Sequence, residues 1–579
     1  MRKLITLSLL ALAACSTTQQ TPPISSDYGT SIPAGWPFAM EVEPAVAPNA
    51  MVATDAPLAT EAGVQVLRDG GNAVDAAVTT AFVLAVVYPE AGNIGGGGFM
   101  VAHMADGTSA ALDFREKAPL ASTRDMYLDE TGELTDRSVT GHLASGVPGA
   151  VMGLWQAHQR FGTKPWAELL APAISLARDG FIVDAEFAAS VRGEADRLSR
   201  FPGSAALFLP NGEPLREGSR WSNPDIARVL ERVAAQGPAG FYEGETADLI
   251  VAEMQRGGGI ITHEDLRRYE AEWREPVEFD YRGRRVISMP PASSGGITLA
   301  IMANILDGYD MDDMGWHSAS ALHVTGEAMR RAFADRNHFL GDPAFVELPR
   351  DLLVSQEYAD RLRATIQPDR ATPSTDIRPG LMEQTEPTQT THFSIVDEAG
   401  NAVALTTTIN ALYGSAVAVT GAGFMLNDEM DDFAAKPGTP NMFGLVQGEA
   451  NAIEPEKRML SAMTPTIVVD TDARVLLVTG ARGGPRIITA VFQVMTNIID
   501  YGMDVGAAVH APRIHHQHLP DILYFERDGL TPEVVAQLEA MGHDVEPRGG
   551  IGTAPTILRR DGVWTAVPDP RTGGLASGY

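Results

Sequence analysis

The chain has 579 residues, 44% hydrophobic and 20% charged, a balance that builds a folded core and excludes a largely disordered protein. Its 74 acidic against 44 basic residues leave a formal net charge of −30, which opposes nucleic-acid binding because phosphate contacts need clustered Lys and Arg. The length admits one large domain or several ordinary ones, and no repeat of 20–50 residues is visible.

In chain order, the first segment is MRKLITLSLLALAAC, with Arg2 and Lys3 ahead of an apolar run from Leu4 to Ala14 and then Cys15. This predicts a secretory signal over 1–15, too short to span a membrane. Leu12-Ala13-Ala14-Cys15 resembles a bacterial lipobox, in which Cys15 is lipidated; an ordinary cleaved signal peptide is the alternative. The expected location is the periplasmic face of a bacterial membrane, or the soluble periplasm if Cys15 stays unmodified, so membrane contact is expected only through a lipid anchor. Cys15 is the single cysteine, so the rest of the chain offers no internal disulfide, thiol nucleophile or cysteine metal ligand. Residues 16–45 begin polar, with Pro and Gly, and read as a flexible tether.

Residues 55–69 predict a helix with Asp55 as N-cap and Pro57 in the first turn. Residues 73–88, AVDAAVTTAFVLAVVY, are apolar nearly all round and predict a buried core helix. Further helical patterns run over 151–160, 223–236, 297–306 and 319–335. Past about 390 the texture changes to strands: HFSIVD, AVALTTTI, TPTIVV and RVLLVTG. Helical stretches at 485–500 and 532–541 follow, with strand-like ILYFE, APTILRR and VWTAV. Strands among helices predict a layered α/β arrangement.

The first of these strands is preceded by Thr390 and Thr391, and the second ends in Thr406, Thr407 and Thr408. A three-residue loop, Glu398 to Gly400 with Gly400 left-handed, is a favoured hairpin connection. In that register the numbers of paired residues sum to 798, which sets Thr390 opposite Thr408, within reach of a cross-strand hydroxyl contact. A period of two puts Thr406, Thr408 and Asn410 on one face. Geometry alone is satisfied by two threonines pairing on a sheet. A threonine hydroxyl becomes a useful nucleophile beside a base, and one available base is its own α-amine, freed if the Gln389–Thr390 bond is cut.

TTHFSIVD, MDDFAAKPG, TGARGGPRIIT and DFREKAP together resemble the γ-glutamyltransferase (glutathione hydrolase) family, and the likeness runs from about Ala47 to the final GGLASGY. The resemblance implies a four-layer αββα sandwich of the N-terminal-nucleophile hydrolase type, formed jointly by a large subunit, 46–389, and a small subunit, 390–579. It implies self-cleavage between Gln389 and Thr390, after which the Thr390 hydroxyl takes a γ-glutamyl group and passes it to water, an amino acid or a peptide. Thr408 would hydrogen-bond the nucleophile, and Gly483 and Gly484 would form the oxyanion hole. Arg115 and Ser461 would hold the substrate α-carboxylate, and Asn410, Glu429 and Asp432 its α-ammonium. Glutathione and other γ-glutamyl compounds are the implied donors, amino acids or dipeptides the acceptors, and no cofactor or metal is implied. Two departures bear on preference: Ala462 stands where the family often has a second serine, and Phe443 stands in the lid where bacterial members can carry a tyrosine.

Read without the resemblance, Arg115 pairs on the surface with Asp113 or Glu116, and DEMDD is a solvated acidic loop. Gly95–Gly98 lacks the G-K-[ST] ending of a phosphate loop and reads as a tight turn near the core. His515, His516 and His518 alternate along a strand and cannot all converge on a metal. Ser293-Ser294 has no G-x-S-x-G context and reads as a turn. Two other functions remain open: a relative that cleaves glutaryl-type amides, and a non-catalytic binding lipoprotein on the same scaffold.

Overall fold

A computed structural model of the chain describes residues 32, 33, 35–38, 43–377, 390–442 and 444–579. Cys15, Gln389, Phe443 and most of the tether lie outside these residues. Two seven-stranded antiparallel sheets face each other. One has the order Leu575–Gly578, Met51–Thr54, Thr391–Val396, Ala402–Thr408, Gly97–His103, Ser109–Asp113, Glu272–Arg274. The other runs Ala45–Ala47, Val563–Val567, Thr556–Arg560, Val475–Thr479, Thr466–Val469, Arg284–Ser288, Val277–Tyr281. Each of these two sheets therefore draws strands from both sides of residue 390, so neither half builds a layer of the sandwich by itself.

Alternation along the strands makes the layers. In Gly97–His103, Phe99 and Val101 face the opposing sheet, whereas Met100 and Ala102 pack with Ala73–Val87 on the outer face. The second sheet is covered on its outer side by Gly295–Leu306 and Val505–His510. The four-layer αββα order is the expected one.

The predicted helices form with small boundary shifts, for example Ala150–Phe161, Pro224–Gln236 and Arg486–Ile499. One expectation is corrected: the helix Pro57–Arg68 is capped at Ala56 without a side-chain bond, not by Asp55. The Asp55 carboxylate instead accepts from the Thr391 hydroxyl at 2.9 Å, so the strand beside the nucleophile takes the acceptor that the helix end would have used. The large half also carries strands that the sequence reading did not single out, such as Gly97–His103 and Arg284–Ser288. They are short or glycine-rich and mostly buried, so they lack the polar alternation that marks a half-exposed strand.

The last described residues before Thr390 are firmly held. The Ala371 N–H donates to Met541 O at 2.7 Å, the Ser374 N–H to Asp521 at 2.8 Å, and the Thr372 N–H to Glu327 at 3.1 Å.

Candidate active site

The hairpin adopts the register its turn predicts. Thr391 pairs with Thr407 and His392 with Thr406, and Gly400 has φ +92°. Thr390, immediately before the strand, brings its Oγ1 to 3.4 Å from Oγ1 of Thr408, and both residues are buried. The Asn410 N–H donates to Thr408 Oγ1 at 2.8 Å. That bond fills one lone pair of the Thr408 oxygen and leaves its proton able to point at Thr390. The neighbouring threonines have other partners: Thr406 meets His392 Nδ1 at 2.9 Å, and Thr407 donates to Gly97 O at 2.9 Å.

The glycine run Gly95–Gly98 explains how this pair is placed. A Cβ on Gly96 would lie 2.1 Å from Thr408 O, one on Gly98 2.4 Å from Thr406 O, and one on Gly95 2.1 Å from Met425 O. Only hydrogen at these positions lets the backbones close up; the run is a bend leading into the Gly97–His103 strand and not the tight turn expected, though it does lie in the core.

Thr390 and Thr408 line one small, tightly closed-in pocket, with a cavity of about 20 Å³. The same pocket is lined by Arg115, Asn410, Glu429, Asp432, Ser461, Ala462 and Gly484, so most of the resembled site residues converge on it. Gly483 is not part of the lining but directly precedes Gly484. Both have positive φ, +130° and +56°, and lead into the N-terminus of Arg486–Ile499. Phe443 lies outside the described residues; nearby, Met442 Sδ is 3.6 Å from Asn410 Nδ2, and Leu445 lines the pocket.

Arg115 is not the surface ion pair of the plain reading. It is 1% exposed, and its two terminal nitrogens donate to Glu429 and Asp432. Glu116 lies 3.8 Å away with neither carboxylate oxygen hydrogen-bonded. Nor is DEMDD a solvated loop: Glu429 and Asp432 sit in a buried 3₁₀ turn, Glu429–Asp432. Burial works against the charge of Arg115, but Glu429, Asp432 and Glu116 around it hold its pKa up. Burial also raises all three carboxyl groups, Glu116 to about 8, because a single guanidinium cannot neutralise three buried anions.

Ser461 is fixed by the loop that reads PPASSGG. Its N–H donates to Ala292 O at 2.9 Å, and its carbonyl accepts from the Ser294 N–H at 2.8 Å and the Ser294 hydroxyl at 2.6 Å. Ser293-Ser294 is therefore a structural turn behind the pocket. One charged lining residue received no role from the sequence: Arg336, in FADRNHF. Its place near the end of a charged-looking helix gave no signal of burial.

Only His515 lies in a strand, Ile514–His515, so strand alternation does not govern the three histidines, and each ring has its own partner. His515 meets Thr489 Oγ1 at 2.9 Å, His516 approaches Asp521 at 3.3 Å, and His518 meets Ser374 O at 3.0 Å. Among the described residues His323, Glu327 and His543 bring ligand-type atoms within 4.8 Å of one another. Both Glu327 oxygens already accept from Arg330 and Arg331, however, and a cation there would face two buried guanidiniums. His323 and Glu327 instead anchor Gln367 O, at 2.7 Å, and the Thr372 N–H.

Two packed sheets covered by helices on both outer faces are the fold of the N-terminal-nucleophile hydrolase type. The profile of the gamma-glutamyltranspeptidase family matches residues 59–579. A glutathione hydrolase proenzyme of Pseudomonas sp. (strain A14) is 47% identical over 553 residues, covering 93% of this chain and 95% of that protein. The chain belongs to the gamma-glutamyltranspeptidase family. Among solved structures, cephalosporin acylase from Bacillus halodurans superposes with a TM-score of 0.84 at 28% identity, covering 94% of this chain and 99% of that one. The gamma-glutamyltranspeptidase of Helicobacter pylori matches at 43% identity and a TM-score of 0.56, covering 59% of this chain and 96% of that chain.

Proposed function

We propose that the chain is a self-processing γ-glutamyl transferase and glutathione hydrolase that works through a threonyl acyl-enzyme. In the precursor, Thr390 Oγ1 attacks the carbonyl of Gln389, and hydrolysis of the resulting ester frees the Thr390 α-amine. That amine, with an ordinary pKa near 8, then serves as general base when the same hydroxyl attacks a γ-glutamyl amide. Thr408 donates to the attacking oxygen, and the backbone N–H groups of Gly483 and Gly484, at a helix N-terminus, meet the oxyanion. The leaving amine departs with a proton returned by the α-amine. Water, an amino acid or a dipeptide then takes the γ-glutamyl group.

The observation that carries the donor class is the pairing of Arg115 with Glu429 and Asp432 beside Thr390. A γ-glutamyl head group is a zwitterion, and it exchanges for this internal pairing charge for charge: ammonium onto the carboxylates and Asn410, carboxylate onto Arg115 and Ser461. A glutaryl group has no ammonium, so it would leave buried carboxylates facing an anion, which disfavours the acylase reading although the acylase fold is shared. Lipidation of Cys15 and export are part of the same proposal, on the motif alone; fractionation of a Cys15→Ala variant checks them, with loss of membrane association expected.

The test is the denatured mass and N-terminal sequence of the purified protein beside Thr390→Ala, followed by turnover of γ-glutamyl and glutaryl anilides. Two fragments, the smaller starting at Thr390, an uncut variant and preference for the γ-glutamyl donor are expected. An intact wild-type chain, or a processed one inert to γ-glutamyl anilide, would refute the reading and favour the binding protein.

A further inference from the structure

Arg336 is the second guanidinium of the pocket, and the mechanism above does not use it. It comes from the last turn of the helix Ala319–Phe339 and is 1% exposed. Its Nε donates to Ser294 Oγ at 3.0 Å and its Nη1 to Asn337 Oδ1 at 2.9 Å, whereas its Nη2 is buried without a hydrogen-bond partner. An unpaired buried guanidinium N–H is costly, and such a group calls for an acceptor that arrives later. Ser294, which receives the Nε bond, donates in turn to Ser461 O. Arg336 and Ser461 thus belong to one hydrogen-bonded network, and both line the same pocket as Arg115, Glu429 and Asp432. Burial brings its pKa down only to about 10, so it remains a cation at neutral pH.

The charges require a cation in that place. Arg115 is already shared by Glu429, Asp432 and, more distantly, Glu116. An incoming α-carboxylate would share that one guanidinium with a cluster of buried carboxyl groups. Among the lining residues Arg336 supplies the only other full positive charge, and its nearest anionic influence is Asp432, the group an incoming ammonium would engage.

We infer that Arg336 is a second carboxylate-binding residue of the donor site, its Nη2 donating to the α-carboxylate across from Arg115, and that it makes the enzyme select donors carrying that carboxylate. This rests on the γ-glutamyl reading above. Arg336 takes no part in bond making; it contributes through binding.

The experiment compares wild type, Arg336→Met and Arg336→Lys on two p-nitroanilides: γ-glutamyl, and 4-aminobutanoyl, which keeps the ammonium but lacks the α-carboxylate. Cleavage into two fragments serves as the folding control. A hydrogen bond to a charged group predicts that Arg336→Met raises KM for the γ-glutamyl donor by about tenfold or more with kcat far less affected. Turnover of the 4-aminobutanoyl donor should stay near the wild-type value, and Arg336→Lys should recover part of the preference, since it keeps the charge without the planar fork. Equal losses on both donors, or an unchanged γ-glutamyl KM, would overturn the assignment and make Arg336 a structural residue. If Arg336→Met is not processed, Arg336→Lys decides alone: a narrowed preference supports the assignment and an unchanged one overturns it. A processed wild type inert to the γ-glutamyl donor would overturn the function reading and the assignment together.

Discussion

Gly96→Ala tests whether the position of Thr408 sets the rate of maturation. A methyl group at Gly96 would lie 2.1 Å from Thr408 O and 2.7 Å from Ile409 Cγ2, where an ordinary contact needs at least 3.4 Å. The end of the Ala402–Thr408 strand must then retreat by more than 1 Å, the difference between those two distances. The hydroxyls of Thr390 and Thr408 are 3.4 Å apart, already at the long limit for an O–H···O bond, so the retreat separates them. A misplacement of this size costs about 10²-fold in rate, and the strained packing about 1–3 kcal/mol in stability. The assay follows disappearance of the precursor by denatured mass, then kcat/KM of the processed fraction on a γ-glutamyl anilide, with Tm read on the same samples. Gly193→Ala is the control: its Cβ meets nothing within 4 Å in the helix Ala185–Leu198, so it should mature normally and gain roughly 0.5–1 kcal/mol. A folded Gly96→Ala protein that matures and turns over at the wild-type rate would refute the claim that this glycine places the hydroxyl pair.

Thr408→Val keeps the β-branched shape of the strand but removes the hydroxyl beside Thr390, and processing should slow by about 10- to 100-fold in a time course of precursor cleavage. Asp432→Asn removes a partner of the ammonium and of Arg115, so KM for γ-glutamyl anilide should rise about tenfold or more while the preference over the glutaryl analogue narrows. The mature enzyme needs its α-amine neutral, so kcat/KM should fall about tenfold per pH unit below roughly pH 8; a flat profile between pH 5 and 8 would remove the amine as base. Asp335, buried beside the Tyr358 hydroxyl, has its carboxyl pushed up to about 7 by burial, so its favourable contribution is complete below the unfolded value near 4 and is lost as pH rises through 7. Thermal melts across that window should show wild type losing up to about 4 kcal/mol that Asp335→Asn does not lose.

What the sequence disclosed and what it hid divide along a physical line. The turn Asp397–Asn401 disclosed the register because a left-handed glycine in a three-residue loop allows few pairings, and one register puts two hydroxyls face to face. The buried helices were legible because an apolar run bounded by Gly and Pro has few other uses. Charged residues inside the core were not legible. Glu327, Arg330, Arg331, Asp335 and Arg336 look like the solvent face of a helix, yet all five are buried, and each is kept there by partners far away in sequence or by the pocket itself. Asp55 misled for the same reason: local spacing marked it as a cap, and a threonine more than 300 residues away claimed it. Local grammar reports the partners a residue can find within a turn or two. The acceptor left open by Arg336 Nη2 belongs to neither the local sequence nor the folded chain, and the chemistry of the pocket assigns it to the donor.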